Sequence, residues 1–150
     1  MTDGVTSDTY RELSNNGVSE HNNRMIAKLR ANNGKLPDVP DSEMLVMILT
    51  ITGAKSGVRR ETPLGYFEHE DRLYFAGSNG GQEAPPAWIH NLRANPFVTA
   101  EVAGTAHDSV VRELLGPERD EVFTALVAKH AFFGEYQSRL QRTIPVFELI

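Results

Sequence analysis

Apolar residues crowd residues 44–51 (MLVMILTI) without the alternation of a half-buried strand. A strand over 44–52, covered on both faces, is the expectation. In a small antiparallel barrel that means the lumen on one side and a packed helix on the other. Upstream, Val18, Met25 and Leu29 fall on one face of a helix that Ser19 is placed to cap and Gly34 to stop, and Pro37 and Pro40 keep the link to the first strand extended. Residues 1–17, rich in Asn, Ser, Thr and Asp, read as a flexible N-terminal arm, which leaves 18–150 as a single domain.

The pattern continues with a hairpin, 60–69 and 73–77, about Glu70–Asp71. SNGGQEAPPAW then breaks the strand period, and Pro85 or Pro86 opens a short helix with Trp88 and Leu92 spaced i, i+4. Asn95–Pro96 ends it. A second hairpin, 97–102 and 105–114, turns at Ala103–Gly104. Gly116–Pro117 starts an amphipathic helix with Glu118, Asp120 and Glu121 near its start, Lys129 and His130 at its end, and Val122, Phe123, Leu126 and Val127 on its buried face. A short helix over 135–141 and a last strand, IPVFELI, complete the chain. About six strands with two hairpins and intervening helices predict an α+β fold with a mainly antiparallel, barrel-like sheet.

The chain has 150 residues, 40% hydrophobic and 23% charged, which suits one globular domain and argues against wholesale disorder. Cysteine is absent, which removes disulfides, iron–sulfur clusters and thiolate zinc sites and fits a reducing cytoplasm. No window approaches the ~20 apolar residues of a membrane span, and the polar N-terminus lacks a signal-peptide core; a cytoplasmic protein without an integral membrane segment is expected. Net charge is −5, which speaks against a nucleic-acid partner. The histidines (His21, His69, His90, His107, His130) show no HxxxH or HExxH spacing, so no metal is expected. GxGxxG, GxxxxGK[ST] and GxSxG are also missing.

Against that acidic background, TGAKSGVRRETPLGY (52–66) is a local exception. Gly53 and Gly57 let backbone approach a ligand; Lys55 supplies a point charge and Arg59 or Arg60 a planar fork for phosphate or carboxylate. Thr52, Ser56 and Thr62 add hydroxyls. A glycine turn with solvated charges has the same composition. AGSNGG (76–81) leaves room for a flat ring and offers backbone N–H groups, although such a stretch is more often a plain loop. In PAWIHNLRANP (86–96), Trp88 is by type a core residue and Asn91 a ligand contact or a helix cap. In KHAFFGEYQ (129–137), Phe132, Phe133 and Tyr136 can wall a pocket or pack a helix junction, and His130 has the pKa range of a proton donor.

Taken together, LTITGAKSGVRRETPL, YFAGSNGG, PAWIHNLRANPFVTAEV and EYQSRLQRTIPVFEL, in this order over residues 20–150, resemble the deazaflavin (coenzyme F420)-dependent nitroreductase family of actinobacteria. The resemblance implies a split β-barrel related to FMN-binding oxidases. It also implies coenzyme F420 as cofactor: a deazaflavin ring, a ribityl chain, a phosphodiester and an oligoglutamate tail. On that resemblance Ala54, Lys55, Ser56 and Arg60 hold the phosphate and tail. Thr62, Pro63 and Leu64 follow the ribityl chain. Ala76, Gly77, Ser78 and Asn79, with Ala87, Trp88, Ile89, His90 and Asn91, surround the ring, and Phe133 joins them. Close relatives usually carry a second cation at position 54; Arg59 is expected to compensate for Ala54.

The implied chemistry is hydride transfer to a small electron-poor acceptor such as a quinone, enone or nitro compound, with Ser78, Tyr136 or His130 placing the acceptor or relaying a proton. The segment 130–136 has fewer tyrosines than nitroimidazole-reducing members present, with His130 and Phe133 in two of those positions. Two other readings compete: an FMN-dependent oxidase or reductase on the same barrel, and a non-catalytic F420-binding carrier.

Overall fold

The computed structural model describes residues 15–36 and 44–150. Helix α1 (Asn15–Ala31) buries Met25, Ile26 and Leu29 against Ile48. It starts before Ser19, so Ser19 lies inside the helix instead of capping it; once the apolar face is packed, extending a helix by a few residues costs little. Residues 15–17, assigned to the arm from sequence, are therefore helical. The rest of that arm, and Pro37 and Pro40, lie outside the described residues. Gly34 does end the helix region: its φ is +83°, its N–H donates to the Leu29 carbonyl at 2.7 Å, and a Cβ there would lie 2.4 Å from the Gly104 nitrogen. The close approach admits only glycine.

Strand β1 (Leu45–Thr52) pairs along its length with β2 (Arg59–His69), which turns through Glu70 (φ 50°) and Asp71 (φ 63°) into β3 (Arg72–Ala76). Two consecutive positive φ values match the right-handed twist of a tight hairpin. A 3-10 turn (Asn79–Gly81) and helix α2 (Trp88–Ala94) lead to β4 (Phe97–Val102) and β5 (Thr105–Leu114). Helices α3 (Gly116–Lys129) and α4 (Phe132–Arg139) precede β6 (Val146–Leu149). The six strands close an antiparallel barrel in the order β1-β2-β3-β6-β5-β4, with β4 returning to β1. This is an α+β split β-barrel, as expected.

Two elements differ from the sequence expectation. Helix α4 starts at Phe132, not 135, because Gly134, a nominal breaker, is where α3 and α4 meet: a Cβ would sit 3.1 Å from Val127 Cγ1. Strand β6 omits Ile144 and Pro145. The Ile144 N–H donates to Gln137 Oε1, and Pro145 has no N–H and gives its carbonyl to Gly77.

Strand β1 is covered on both faces, as its unbroken apolar run requires. Met47, Leu49 and Ile51 join Phe75, Phe147, Ile89 and Leu92 in one core, while Ile48 packs under α1. Burying each such side chain contributes about 1.5–3 kcal/mol. A second core lies between α3, α4 and the strands and includes Phe67, Leu114, Phe123, Phe133 and Val146. Arg30 ties α1 to the barrel through Glu61 and Glu101.

Candidate functional site

The end of β1 and the start of β2 are joined by a loop whose backbone is closed on itself. Gly53 N–H donates to the Val58 carbonyl at 2.9 Å, Gly57 N–H to the Gly53 carbonyl at 3.0 Å, and Val58 N–H to Ser56 Oγ at 3.1 Å. Gly57 has φ +69°, and a Cβ on Gly53 would lie 2.5 Å from Ser56 Oγ, so both glycines are required by the turn. The Ala54 N–H donates to Asn91 Oδ1 of α2 at 2.9 Å. Asn91 thus fastens the loop to α2 through its oxygen while still lining the cavity.

Adjacent residues of a strand face opposite sides, and this separates the two arginines. Arg60 lines a cavity, while Arg59 donates to Thr99 Oγ1 on β4 at 2.8 Å, with Thr99 in turn on Asp108. Arg59 is thus directed away from the place where it was expected to compensate for Ala54.

The cavity has a volume of about 920 Å³. Lys55 and Arg60 stand at one side with Ala54, Ser56 and Thr62; Trp88, His90 and Asn91 of α2, with Ala87, form another wall; Asn79 comes from the 3-10 turn. No aspartate or glutamate lines it among the described residues. Trp88 belongs to both core and cavity: its ring packs on Phe75 and Phe147, with centroids 5.7 and 5.9 Å away, and it stays partly exposed on the cavity side.

The other expected contacts lie outside the cavity lining. Pro63 and Leu64 continue β2 into the barrel, where Leu64 packs on the core. Ile89 is fully buried, with its Cδ1 2.5 Å from where a Gly77 Cβ would be. Ala76 ends β3 and packs on the second core. Ser78 lies behind the 3-10 turn with its carbonyl accepting from Arg142. His130, Phe133 and Tyr136 come together at the α3–α4 junction, with His130–Phe133 and Phe133–Tyr136 ring centroids at 6.4 and 6.1 Å. Tyr136 packs against Gly81 of the 3-10 turn, whose Cβ would lie 2.6 Å from Tyr136 Cδ1, and neither residue lines the cavity. Partial burial, aided by Lys129, holds the His130 pKa below its ordinary value, so the imidazole is neutral at pH 7.

Sequence reasoning missed Asn22, Val58 and Gln82, which also line the cavity. Asn22 had a readable signal: it shares the i, i+3, i+4, i+7 stripe with Met25, Ile26 and Leu29, and a polar residue on a buried stripe marks an opening in the core. Arg142, which braces the 77–82 loop, carried no signal of spacing or period. Away from the cavity, ligand atoms of His69, Glu70 and Glu121 lie within 4.8 Å of one another at the β2–β3 turn, a grouping made by folding alone. No helix of the described residues is long and apolar enough to cross a membrane.

A closed barrel of this topology, with a cationic loop after its first strand fastened to α2, is a split β-barrel. Residues 21–150 match the family described as F420H(2)-dependent quinone reductase, and the chain belongs to that family. An F420H(2)-dependent quinone reductase of Mycobacterium tuberculosis (strain H37Rv) is 32% identical over 127 residues, 80% of this chain and 83% of that protein. Among solved structures, an F420-H2 dependent reductase (FDR-A) is similar at TM-score 0.64 and 35% identity, covering 70% of this chain and 93% of its own. A domain-swapped dimer is similar at TM-score 0.67 and 30% identity, covering 85% of this chain and 95% of its own.

Proposed function

We propose that this protein binds reduced coenzyme F420 and catalyses hydride transfer from it to a small electron-poor organic acceptor, a quinone first, then enones or nitro compounds. One observation carries this reading: on a chain of net charge −5, the cavity wall presents Lys55 and Arg60 and, among the described residues, no carboxylate. Such a wall favours an extended anion at its lip. The apolar and aromatic residues Ile51, Pro86 and Trp88 supply a surface for a flat ring beside it.

The residues fit the cofactor. Lys55 and Arg60 would hold the phosphate and glutamate carboxylates; Ser56, whose oxygen already accepts from Val58, keeps its hydroxyl proton to donate to an anion. Because Ala54 N–H is committed to Asn91, side chains rather than that amide carry the anion contact. Thr62 and Trp88 extend the wall inward, and the apolar residues exclude water from the ring. When bound, reduced F420 supplies a two-electron hydride donor. The protein contributes orientation of the acceptor and a proton. Tyr136 and Ser78 are the candidates to donate that proton, and His130, whose lowered pKa leaves it mostly unprotonated near pH 7, is a relay at best; all three stand outside the cavity lining, so the proton would reach the acceptor through water or a bound-state rearrangement.

Titration of purified apo-protein with F420 and with FMN at low ionic strength, followed by fluorescence, tests the binding. F420 is expected to bind more tightly, and the Lys55→Ala/Arg60→Ala double variant to lose most of that advantage. Equal affinity for FMN, or a double variant that holds F420 as well as the wild type, would favour the FMN reading. Binding without turnover across a panel of quinones, enones and nitroaromatics would leave a carrier.

A further inference from the structure

Behind the 77–82 loop sits the guanidinium of Arg142, and every acceptor it has there is a backbone carbonyl. Nη1 donates to Gly77 O at 3.0 Å, Nη2 to Ser78 O at 2.9 Å and Gln82 O at 2.9 Å, and Nε to Gln82 O at 3.2 Å. Glu83, the nearest carboxylate to influence it, is occupied instead by the Gln141 N–H. The cation is half-buried without a hydrogen-bonded counter-ion. Burial draws its pKa below the ordinary arginine value, yet a guanidinium remains charged at any physiological pH. A desolvated charge costs free energy unless its donors are satisfied, and here the loop carbonyls satisfy them.

We propose that Arg142 is a positioning residue for the cofactor, setting the shape of the loop that carries Asn79 and Gln82 into the cavity wall. The proposal rests on the F420 reading of that cavity. The loop needs such a brace. Among its residues Asn79, Gly80 and Gly81 have φ of 50°, 62° and 81°, a run of left-handed conformations that no regular hydrogen-bond ladder holds. Its own bonds are few: Gly81 N–H to Ser78 O, Gln82 N–H to Asn79 O, and Asn79 Nδ2 to Ala84 O at 2.8 Å. Arg142 clamps both ends of the run at once.

Planarity gives the clamp a direction. Each carbonyl drawn toward Arg142 sends the next amide N–H to the opposite side of the peptide, so the N–H groups of Ser78 and Asn79 turn away from the guanidinium. The segment behind Arg142 is itself anchored. Gln137 Nε2 donates to the Arg142 carbonyl at 2.9 Å, Gln137 Oε1 accepts from Ile144 N–H and from Arg119, and Pro145 O accepts from Gly77 N–H. The hydrogen-bonded segment before β6 thus holds a loop of left-handed backbone beside the cavity. Only arginine has the forked donors to reach three carbonyls at this spread; a lysine ammonium offers one centre.

Arg142→Lys and Arg142→Ala test this, with folding checked by thermal unfolding. In apo-protein, amide hydrogen exchange across 77–82 is expected to accelerate by about tenfold or more in both variants, with β1, β2, β4 and β5 unchanged. The F420 dissociation constant is expected to rise by about tenfold, and millimolar guanidinium to restore part of the affinity of Arg142→Ala, which a general loss of stability would not allow. Wild-type exchange over 77–82 in Arg142→Lys overturns the proposal. So does faster exchange with an unchanged F420 dissociation constant, since the loop would then be braced without serving the ligand. Failure of the wild type to bind F420 removes the cofactor reading instead, and the exchange comparison, made without cofactor, still decides whether Arg142 sets the loop.

Discussion

Asn91 permits a perturbation that separates geometry from charge. Its Oδ1 accepts the Ala54 N–H at 2.9 Å, and it lines a cavity with Lys55 and Arg60 on the wall. Asn91→Ala removes the acceptor and releases the loop. Ala54 is exposed, so water replaces the lost partner, and the stability cost is about 1 kcal/mol. Asn91→Asp has nearly the same shape and keeps an acceptor for Ala54, now a charged one, so stability is expected to stay within about 0.5 kcal/mol of wild type. It also places a carboxylate on a wall that has none among the described residues.

The size of the charge effect follows from Coulomb's law. With the new carboxylate about 7 Å from a ligand phosphate or carboxylate, repulsion is ~0.6 kcal/mol at the permittivity of water and ~2.4 kcal/mol at an effective value of 20. That corresponds to a roughly threefold to sixtyfold weaker affinity for F420. Fluorescence titration over a salt series is the assay. The Asn91→Asp deficit should shrink as the screening length falls to ~8 Å near physiological ionic strength and below, whereas the Asn91→Ala deficit, being conformational, should not move. An Asn91→Asp protein that is stable and binds F420 like the wild type at low salt would refute the electrostatic account of this cavity.

Three further outcomes are expected. Gly81→Ala combines φ +81° with a Cβ 2.6 Å from Tyr136 Cδ1, and should lose about 1–3 kcal/mol in urea unfolding, with part recovered when Tyr136→Ala is added. Glu148→Ala removes the 7%-exposed carboxylate that Arg112 and Arg72 share; both guanidiniums are largely solvated and Arg112 keeps Glu118, so a loss of about 1–2 kcal/mol is expected in the same measurement. Stability should fall with pH below 6.5. His130 and His21 have folded-state pKa values below their ordinary value, through burial first and then Lys129 and Arg24 respectively, so the unfolded chain binds more protons in that window. Thermal unfolding from pH 7.5 to 5 should show the slope reduced in His130→Gln.

What could be read from sequence divides by the range of the interactions that fix it. The strands, both hairpins and the two-sided burial of β1 follow from local periodicity and turn chemistry, and their limits agree within a residue or two. The cationic loop was legible because its glycines and charges are contiguous. Which arginine serves the cavity was not: Arg59 and Arg60 are equivalent by composition, and only strand register sends Arg59 to Thr99. Asn91 was visible as a polar residue on a short helix, but its partner, Ala54, is 37 positions away. Arg142 was invisible for the same reason, reaching Gly77 across 65 positions.

The long-range bonds share one design. Each fixes a segment at or beside the cavity to another element: Ala54 to α2, Gly77 and Gln82 to the segment before β6, and the helix that carries Asn22 to β2 and β4 through Arg30. Barrel closure fixes the strand ends, but the connections 53–58, 77–87 and 140–145 keep many conformations unless such bonds remove them. The cross-links therefore decide the cavity's shape while the ladder decides the fold. It follows that substitutions at Asn91 and Arg142 should change ligand affinity more than global stability, and that Leu49→Ala, in the barrel core, should do the reverse, losing about 2–5 kcal/mol of stability.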